Sequence, residues 1–167
     1  HGIYKSLKDQ GYIESRSLEQ FYCTHDQMFL PDRFVKGVCP KCGAKDQYGD
    51  SCDHCGAVYN STELKEARCS LCQNKPEIRK SEHQFVKVGA FTDFLEEWVP
   101  KHTDPGVANK LREWFDSGLK DWCLTRDKPY FGFQVPGLKD KFYYVWFDAP
   151  VGYMSTTKLW CEDSGRS

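Results

Sequence analysis

The sequence predicts an α+β chain: a small cysteine-built module on an antiparallel platform, two helices, and an incomplete piece of an open α/β sheet. Three observations carry this. Residues 39–56 hold two Cys-x-x-Cys-Gly units, with nine residues between Cys42 and Cys52. Two stretches between Gly89 and Leu119 repeat their apolar residues at helical spacing. Phe142 to Phe147 form one unbroken apolar run of strand length.

Taken in order, Ile3, Tyr4 and Leu7 recur at helical spacing and Gly11 is placed as a stop, which predicts the last turns of a helix. Tyr12 to Tyr22 and Met28 to Val35 read as two strands, the platform for the cysteine turns. Val58 to Leu64 reads as a further strand with a turn at Asn60-Ser61. His83 to Val88 alternates like a strand. Gly89 to Val99 predicts a helix with Thr92 or Asp93 near its start, Phe91, Phe94, Leu95 and Trp98 on one face, and Pro100 as its end. Asp104-Pro105 is an N-cap followed by a proline at the first helical position, so Val107, Leu111, Trp114, Phe115 and Leu119 predict a second amphipathic helix. The aromatic residues of both helices are read as core. Phe131 to Val135 predicts a strand, Pro136-Gly137 a turn, and the apolar run a central strand of a parallel sheet, with Asp148-Ala149-Pro150 at its C-terminal end, where open sheets place ligands.

Six of the nine cysteines fall in three pairs: Cys39/Cys42, Cys52/Cys55 and Cys69/Cys72. Two such turns aim four thiolates at one point, the tetrahedral set that a borderline-soft cation takes, and the implied ion is zinc. The glycine after each of the first two pairs permits the positive φ that turns backbone N–H groups toward the sulfurs. The first predicted site is therefore Cys39, Cys42, Cys52 and Cys55. A second set nests around it in sequence: Cys23, His25, Cys69 and Cys72, with Asp26, which has two residues between it and Cys23, as the other choice for the fourth ligand. Gln73 stands where the knuckle pattern places a glycine. Cys123 and Cys161 read as small core residues. Four bound thiolates leave no open position, so the metal is structural. The competing readings are two disulfides, a thiol-redox protein, or a free-standing zinc-ribbon module that binds nucleic acid or protein. An odd cysteine count with paired spacing argues against the first, and no low-pKa cysteine at a helix start after a strand supports the second.

The net charge of −1 supplies no global basic field, so any nucleic-acid contact rests on a local patch such as Arg33, Lys36, Lys41 and Lys45. No run reaches the roughly eighteen apolar residues of a membrane span, and the expected location is the cytoplasm. The start, His1-Gly2, has neither an initiator methionine nor a signal segment and reads as an excised piece.

Met28-Phe29-Leu30-Pro31-Asp32-Arg33-Phe34-Val35-Lys36-Gly37, the two glycine-ended knuckles, and Tyr143-Tyr144-Val145-Trp146-Phe147-Asp148-Ala149-Pro150-Val151-Gly152-Tyr153 together resemble the connective-peptide region of the methionyl-tRNA synthetase family. The likeness runs over essentially the whole chain, although Leu124 and Thr125 stand where that family more usually has isoleucine and serine. The resemblance implies a class I aminoacyl-tRNA synthetase whose Rossmann-type catalytic domain is interrupted by a zinc-bearing insertion. Residues 1–22 would lead into the insertion, 23–79 form its zinc-knuckle module, 80–122 its helical part, and 123–167 return into the truncated catalytic domain. It further implies a methionine pocket formed by Trp146, Ala149, Pro150 and Tyr153, with Arg126 near the active site or, equally, in a surface ion pair with Asp127. One or two structural Zn(2+) are implied for this stretch. ATP, Mg(2+), methionine and the acceptor end of tRNA(Met) belong to the full enzyme, whose HIGH and KMSKS signatures are absent from these residues. The chain alone is expected to be inactive.

Overall fold

The computed structural model describes residues 1–166. In chain order the elements are α1 (Gly2–Asp9), β1 (Ile13–Cys23), β2 (Met28–Phe29), a 3-10 turn (Asp32–Phe34), β3 (Val35–Val38), β4 (Gln47–Tyr48), a 3-10 turn (Ser61–Glu63), β5 (Lys65–Cys69) and β6 (Glu77–Val86). A 3-10 turn (Val88–Phe91), α2 (Thr92–His102), α3 (Pro105–Asp116), β7 (Trp122–Cys123), β8 (Thr125–Asp127), β9 (Lys141–Tyr143) and α4 (Val145–Ser164) follow. The architecture is α+β, with antiparallel pairing at β1/β2, β3/β4, β3/β5 and β6/β7. Two compact units divide the chain: Ser17–Glu82 with Asp127–Phe131, and His1–Arg16 with His83–Arg126 and Gly132–Ser167.

The first of these units carries the cysteine turns. The end of β1 pairs with β2, setting Tyr22 opposite Phe29 and Cys23 opposite Met28. The predicted strand from Met28 to Val35 is not continuous. Pro31 cannot donate to a ladder, and the chain turns through Asp32–Phe34 before β3 begins. β3 lies between β4 and β5. A Cβ at Gly37 would stand 2.7 Å from the Lys65 carbonyl oxygen, so only glycine lets β3 and β5 approach this closely. Val58 to Leu64 is also not a strand: Val58 makes one isolated bridge to Ser51, and Asn60 and Glu63 close a reciprocal cap on the 3-10 turn. The core is Phe21, Met28, Leu30, Val35, Tyr59 and Leu64 packed with Cys23, Cys39, Cys52 and Cys69. Apolar packing thus supports Cys23, Cys39, Cys52 and Cys69 from behind.

In the other unit, α1 ends as its sequence predicts, with Gly11 at φ 77°. Tyr4, Val86, Leu124, Val135 and Tyr143 form its core. β6 outruns the predicted His83–Val88 strand at its start and stops at Val86. His83 is buried against Thr125, with Nδ1 3.0 Å from the Thr125 hydroxyl. Asp104 caps α3 by accepting from the Gly106 amide at 2.8 Å, as predicted. α2 runs through Pro100 to His102. Most of these two apolar faces is not core: Phe94, Trp98, Val107 and Trp114 are exposed, Phe115 is half-buried, Phe91 packs half-buried against the core, and the buried residues are Val99 and Ala108.

The last third departs most from expectation. Phe131 to Val135 forms only a bridge, Gln134 to Phe142, and Phe131 is 99% exposed. The apolar run of 142–147 splits at Tyr144, the N-cap residue of α4, so its first half is the end of β9 and its second half the first turn of a 20-residue helix. Asp148, Ala149 and Pro150 lie inside that helix and do not follow a strand. A short apolar run satisfies a buried strand and a buried helical turn equally, and only the surroundings decide.

Candidate metal centres

Four turns of one design present the donors. In the first two, Cys39-Pro40-Lys41-Cys42 and Cys52-Asp53-His54-Cys55, the next residue is a glycine with φ of 77° and 70°. The Gly43 amide donates to the Cys39 carbonyl at 3.1 Å and the Gly56 amide to that of Cys52 at 2.8 Å. The small hairpins are closed by Cys39 N to Ala44 O and Cys52 N to Ala57 O, 2.8 and 2.9 Å. The Lys41 amide points at the Cys39 sulfur from 3.4 Å. Positive φ at the glycine and N–H groups on the sulfur are the features the sequence predicts.

The four sulfurs of this set lie within 4.8 Å of one another. Cys39 Sγ to Cys55 Sγ is 3.9 Å and Cys42 Sγ to Cys52 Sγ is 3.6 Å. Bonds of about 2.3 Å to a tetrahedral zinc require sulfur–sulfur edges of about 3.8 Å, so the set fits that ion. All nine cysteines are free thiols. Burial opposes ionisation of Cys39, yet the amides of Cys42 and Lys41 bring it down to about 6. The Ala44 amide favours the Cys42 thiolate, but burial and the neighbouring sulfurs of Cys55, Cys39 and Cys52 push it up to about 12. Four crowded thiolates need a cation to coexist, which is the chemistry of a metal set.

The second set is Cys23, Asp26, Cys69 and Cys72, again within 4.8 Å of one another. Here the fold departs from the expected fourth member. His25 does not face the cluster; its side chain is 64% exposed and its Nδ1 lies 2.9 Å from Asp26 Oδ1. Asp26 Oδ2 is the atom that meets the sulfurs, 3.1 Å from Cys23 and 3.2 Å from Cys69, while Cys23 Sγ and Cys72 Sγ are 3.4 Å apart. The physical reason is the turn. Donors three residues apart face one point, and the residue between them at the position of His25 projects outward, as exposed His54 does in its own turn. Gln27 and Gln73 take φ of 51° and 63°, the values glycine supplies elsewhere, and Gln73 N to Cys69 O and Cys69 N to Asn74 O, both 2.9 Å, rebuild the same hairpin. Gln73 therefore does not disrupt the knuckle. His25, followed by the thiols of Cys72, Cys23 and Cys69, holds the Asp26 carboxyl well below the usual carboxylate range. Burial pushes the thiols of Cys23, Cys69 and Cys72 up.

Trp146, Ala149, Pro150 and Tyr153 fall at i, i+3, i+4 and i+7 of α4, on one face of the helix. Trp146 and Tyr153 are 64% and 78% exposed. The opposite face, which includes Phe147, Val151 and Gly152, borders a cavity of about 590 Å³ shared with Tyr4, Phe133 and Tyr143. Sequence reasoning missed that cavity because it rests on helical spacing at 147, 151 and 152 in a stretch read as strand and loop. Arg126 donates to the Thr125 carbonyl at 2.8 Å, and its guanidinium carbon stands 3.7 Å from the Tyr144 ring centre. Of the basic set, Lys36 is paired with Asp46 at 3.0 Å and Arg33 stacks on Phe34. Among the described residues no helix is long and apolar enough to cross a membrane.

The family model described as tRNA synthetases class I (M) matches residues 1–167. The methionine–tRNA ligase of Bdellovibrio bacteriovorus is 52% identical over 166 residues, 99% of this chain and 24% of that protein. That of Myxococcus xanthus is 50% identical over 167 residues, again 99% and 24%. The chain spans about a quarter of the length of these curated relatives. Crystal structures of Mycobacterium tuberculosis methionyl-tRNA synthetase share the fold: the free form at a TM-score of 0.53 with 17% identity, covering 92% of this chain and 27% of that one, and the form bound by methionyl-adenylate at 0.52 with 18% identity, covering 91% and 26%. Matches across the full length leave a free-standing zinc-ribbon module without support, because they take in the final third as well as the knuckles. From Cys23 to Tyr153, cysteine turns and α4 alike, the chain belongs to the tRNA synthetases class I (M), the family of the methionine–tRNA ligases.

Proposed function

We propose that this chain is the structural metal-bearing insertion of a methionine–tRNA ligase together with one wall of its methionine pocket. The parent enzyme would activate methionine with ATP and Mg(2+) and transfer it to tRNA(Met) in the cytoplasm. The observation that carries the reading is the shared face of Trp146, Ala149, Pro150 and Tyr153 on α4, in a chain whose relatives are ligases of this kind. Two aromatic rings two turns apart, with a small residue and a proline between them, make a wall that suits an unbranched thioether, read by shape and polarizability. Arg126, held against Tyr144 and the Thr125 carbonyl, would stand near that wall as a fixed positive charge.

The two donor sets would each hold a structural Zn(2+), Cys39, Cys42, Cys52 and Cys55 for one and Cys23, Asp26, Cys69 and Cys72 for the other. Closed coordination supplies folding free energy and no Lewis-acid position. The residues themselves do the work of shape: the apolar core behind the buried cysteines fixes the hairpins.

In the full-length protein carrying this chain, Tyr153→Ala and Trp146→Ala are expected to raise KM for methionine at least about tenfold in ATP–pyrophosphate exchange, with KM for ATP within about twofold. Equal effects on both substrates, or none, would overturn the pocket assignment.

A further inference from the structure

The second donor set differs from the first in one ligand and in what stands behind it. Asp26 offers Oδ2 to the sulfurs of Cys23 and Cys69 at 3.1 and 3.2 Å, and Oδ1 to His25 Nδ1 at 2.9 Å. One carboxylate oxygen is thus turned into the cluster while the imidazole occupies the other. The side chain of Asp26 is 20% exposed and that of His25 64%, so the imidazole sits on the solvent side of the carboxylate. Nothing of this kind is needed at the first set. A thiolate has one donor atom, and its direction follows from the turn; a carboxylate has two, and without a second partner it rotates or binds through both oxygens.

We infer that His25 is the positioning residue of the second centre: it holds Asp26 in a single-oxygen binding pose and makes an S3O set as closed as the S4 set beside it in sequence. This rests on the reading of Cys23, Asp26, Cys69 and Cys72 as a zinc site. The turn geometry supplies the independent argument for Asp26 itself. Cys23-Thr24-His25-Asp26 followed by Gln27 at φ 51° repeats the turn that ends at Cys42, Cys55 and Cys72, with each final residue in the donor place and a left-handed residue next. The Asp26 amide lies 3.4 Å from the Cys23 sulfur, as the Cys42 amide, at the same place in its turn, lies 3.5 Å from that of Cys39. Placed one residue earlier in the turn, His25 reaches the metal only through the carboxylate. Outer partners of this type set ligand orientation, and their loss weakens metal binding about 10–100-fold.

The test is zinc release from the purified, zinc-loaded chain to an excess of a chromophoric chelator. Wild type is expected to carry two equivalents. His25→Ala speeds release of one equivalent about 10–100-fold and leaves the other unchanged, and His25→Asn, which keeps an N–H donor, restores much of the difference. In an Asp26→Cys background the single-atom thiolate needs no orienting partner, so His25→Ala changes release there by less than about twofold. Two equivalents released at wild-type rates from His25→Ala would overturn the inference, as would equal acceleration in the Asp26→Cys background, which would mean that His25 acts through the fold. A chain carrying one equivalent, with Cys23, Cys69 and Cys72 open to a thiol reagent, would overturn the zinc reading itself.

Discussion

Gln27 and Gln73 hold the left-handed backbone that Gly43 and Gly56 hold elsewhere, at a conformational cost of about 1–2 kcal/mol for a residue with a Cβ. The two glutamines differ in what offsets it. Gln73 accepts from Arg68 Nε at 3.0 Å and donates to the Ser70 carbonyl at 3.1 Å, so replacing it by glycine exchanges strain for lost hydrogen bonds. Gln27→Gly should raise the stability of the metal-loaded chain by about 0.5–1 kcal/mol in denaturant unfolding, whereas Gln73→Gly should come out near neutral. Tyr143 gives a second residue-level prediction. Burial, with the nearby Tyr4, pushes its phenol from 10.0 up to about 12. A group whose folded value is raised contributes stability that is complete below its unfolded value and disappears as pH climbs through the folded one. The loss, about 2–3 kcal/mol, therefore falls between about pH 10 and about pH 12. Ultraviolet titration should find late-forming phenolates, since burial pushes Tyr59 up to about 12 as well, and Tyr143→Phe should remove one of them.

Secondary-structure elements were legible where the deciding chemistry is local. Asp104-Pro105 announces α3 because a cap and a proline need only their own neighbours, and the Cys-x-x-Cys-Gly turns need only a thiol pair and a positive φ. The second centre was half legible. Cys23, Cys69 and Cys72 stand out by type, but the choice between His25 and Asp26 depends on which side of a turn each faces, and histidine is the commoner metal ligand. α4 was illegible: the run 142–147 satisfies strand and helix equally, and Asp148-Ala149-Pro150, read as following a strand, lie where the helix continues. Reading it as helix is what puts Trp146, Ala149, Pro150 and Tyr153 on one face, whereas periodicity placed them at and after the end of a strand.

At the scale of the molecule, the two units draw stability from different sources. The cysteine-bearing unit counts Cys23, Cys39, Cys52 and Cys69 among its buried core, so its packing includes half of the two donor sets. The other unit packs Tyr4, Val86, Leu124, Val135 and Tyr143 without them. Chelation should therefore strip hydrogen-exchange protection from residues 35–74 while α3 keeps most of its own; retained protection at the knuckle amides would contradict this. Elemental analysis should find two zinc equivalents in the wild type and one in a Cys69→Ser, Cys72→Ser variant. By itself the sequence determined the α+β class, the first four-thiol set, the capped helix α3 and, through its motifs, the family, since each rests on residue types and short spacings. Tertiary structure alone decided that Asp26 and not His25 faces the second cluster, that Phe94, Trp98 and Trp114 lie outside the core, and that Trp146, Ala149, Pro150 and Tyr153 ride a helix. Each of those outcomes depends on which side of a backbone a residue faces, and that is set by distant packing partners.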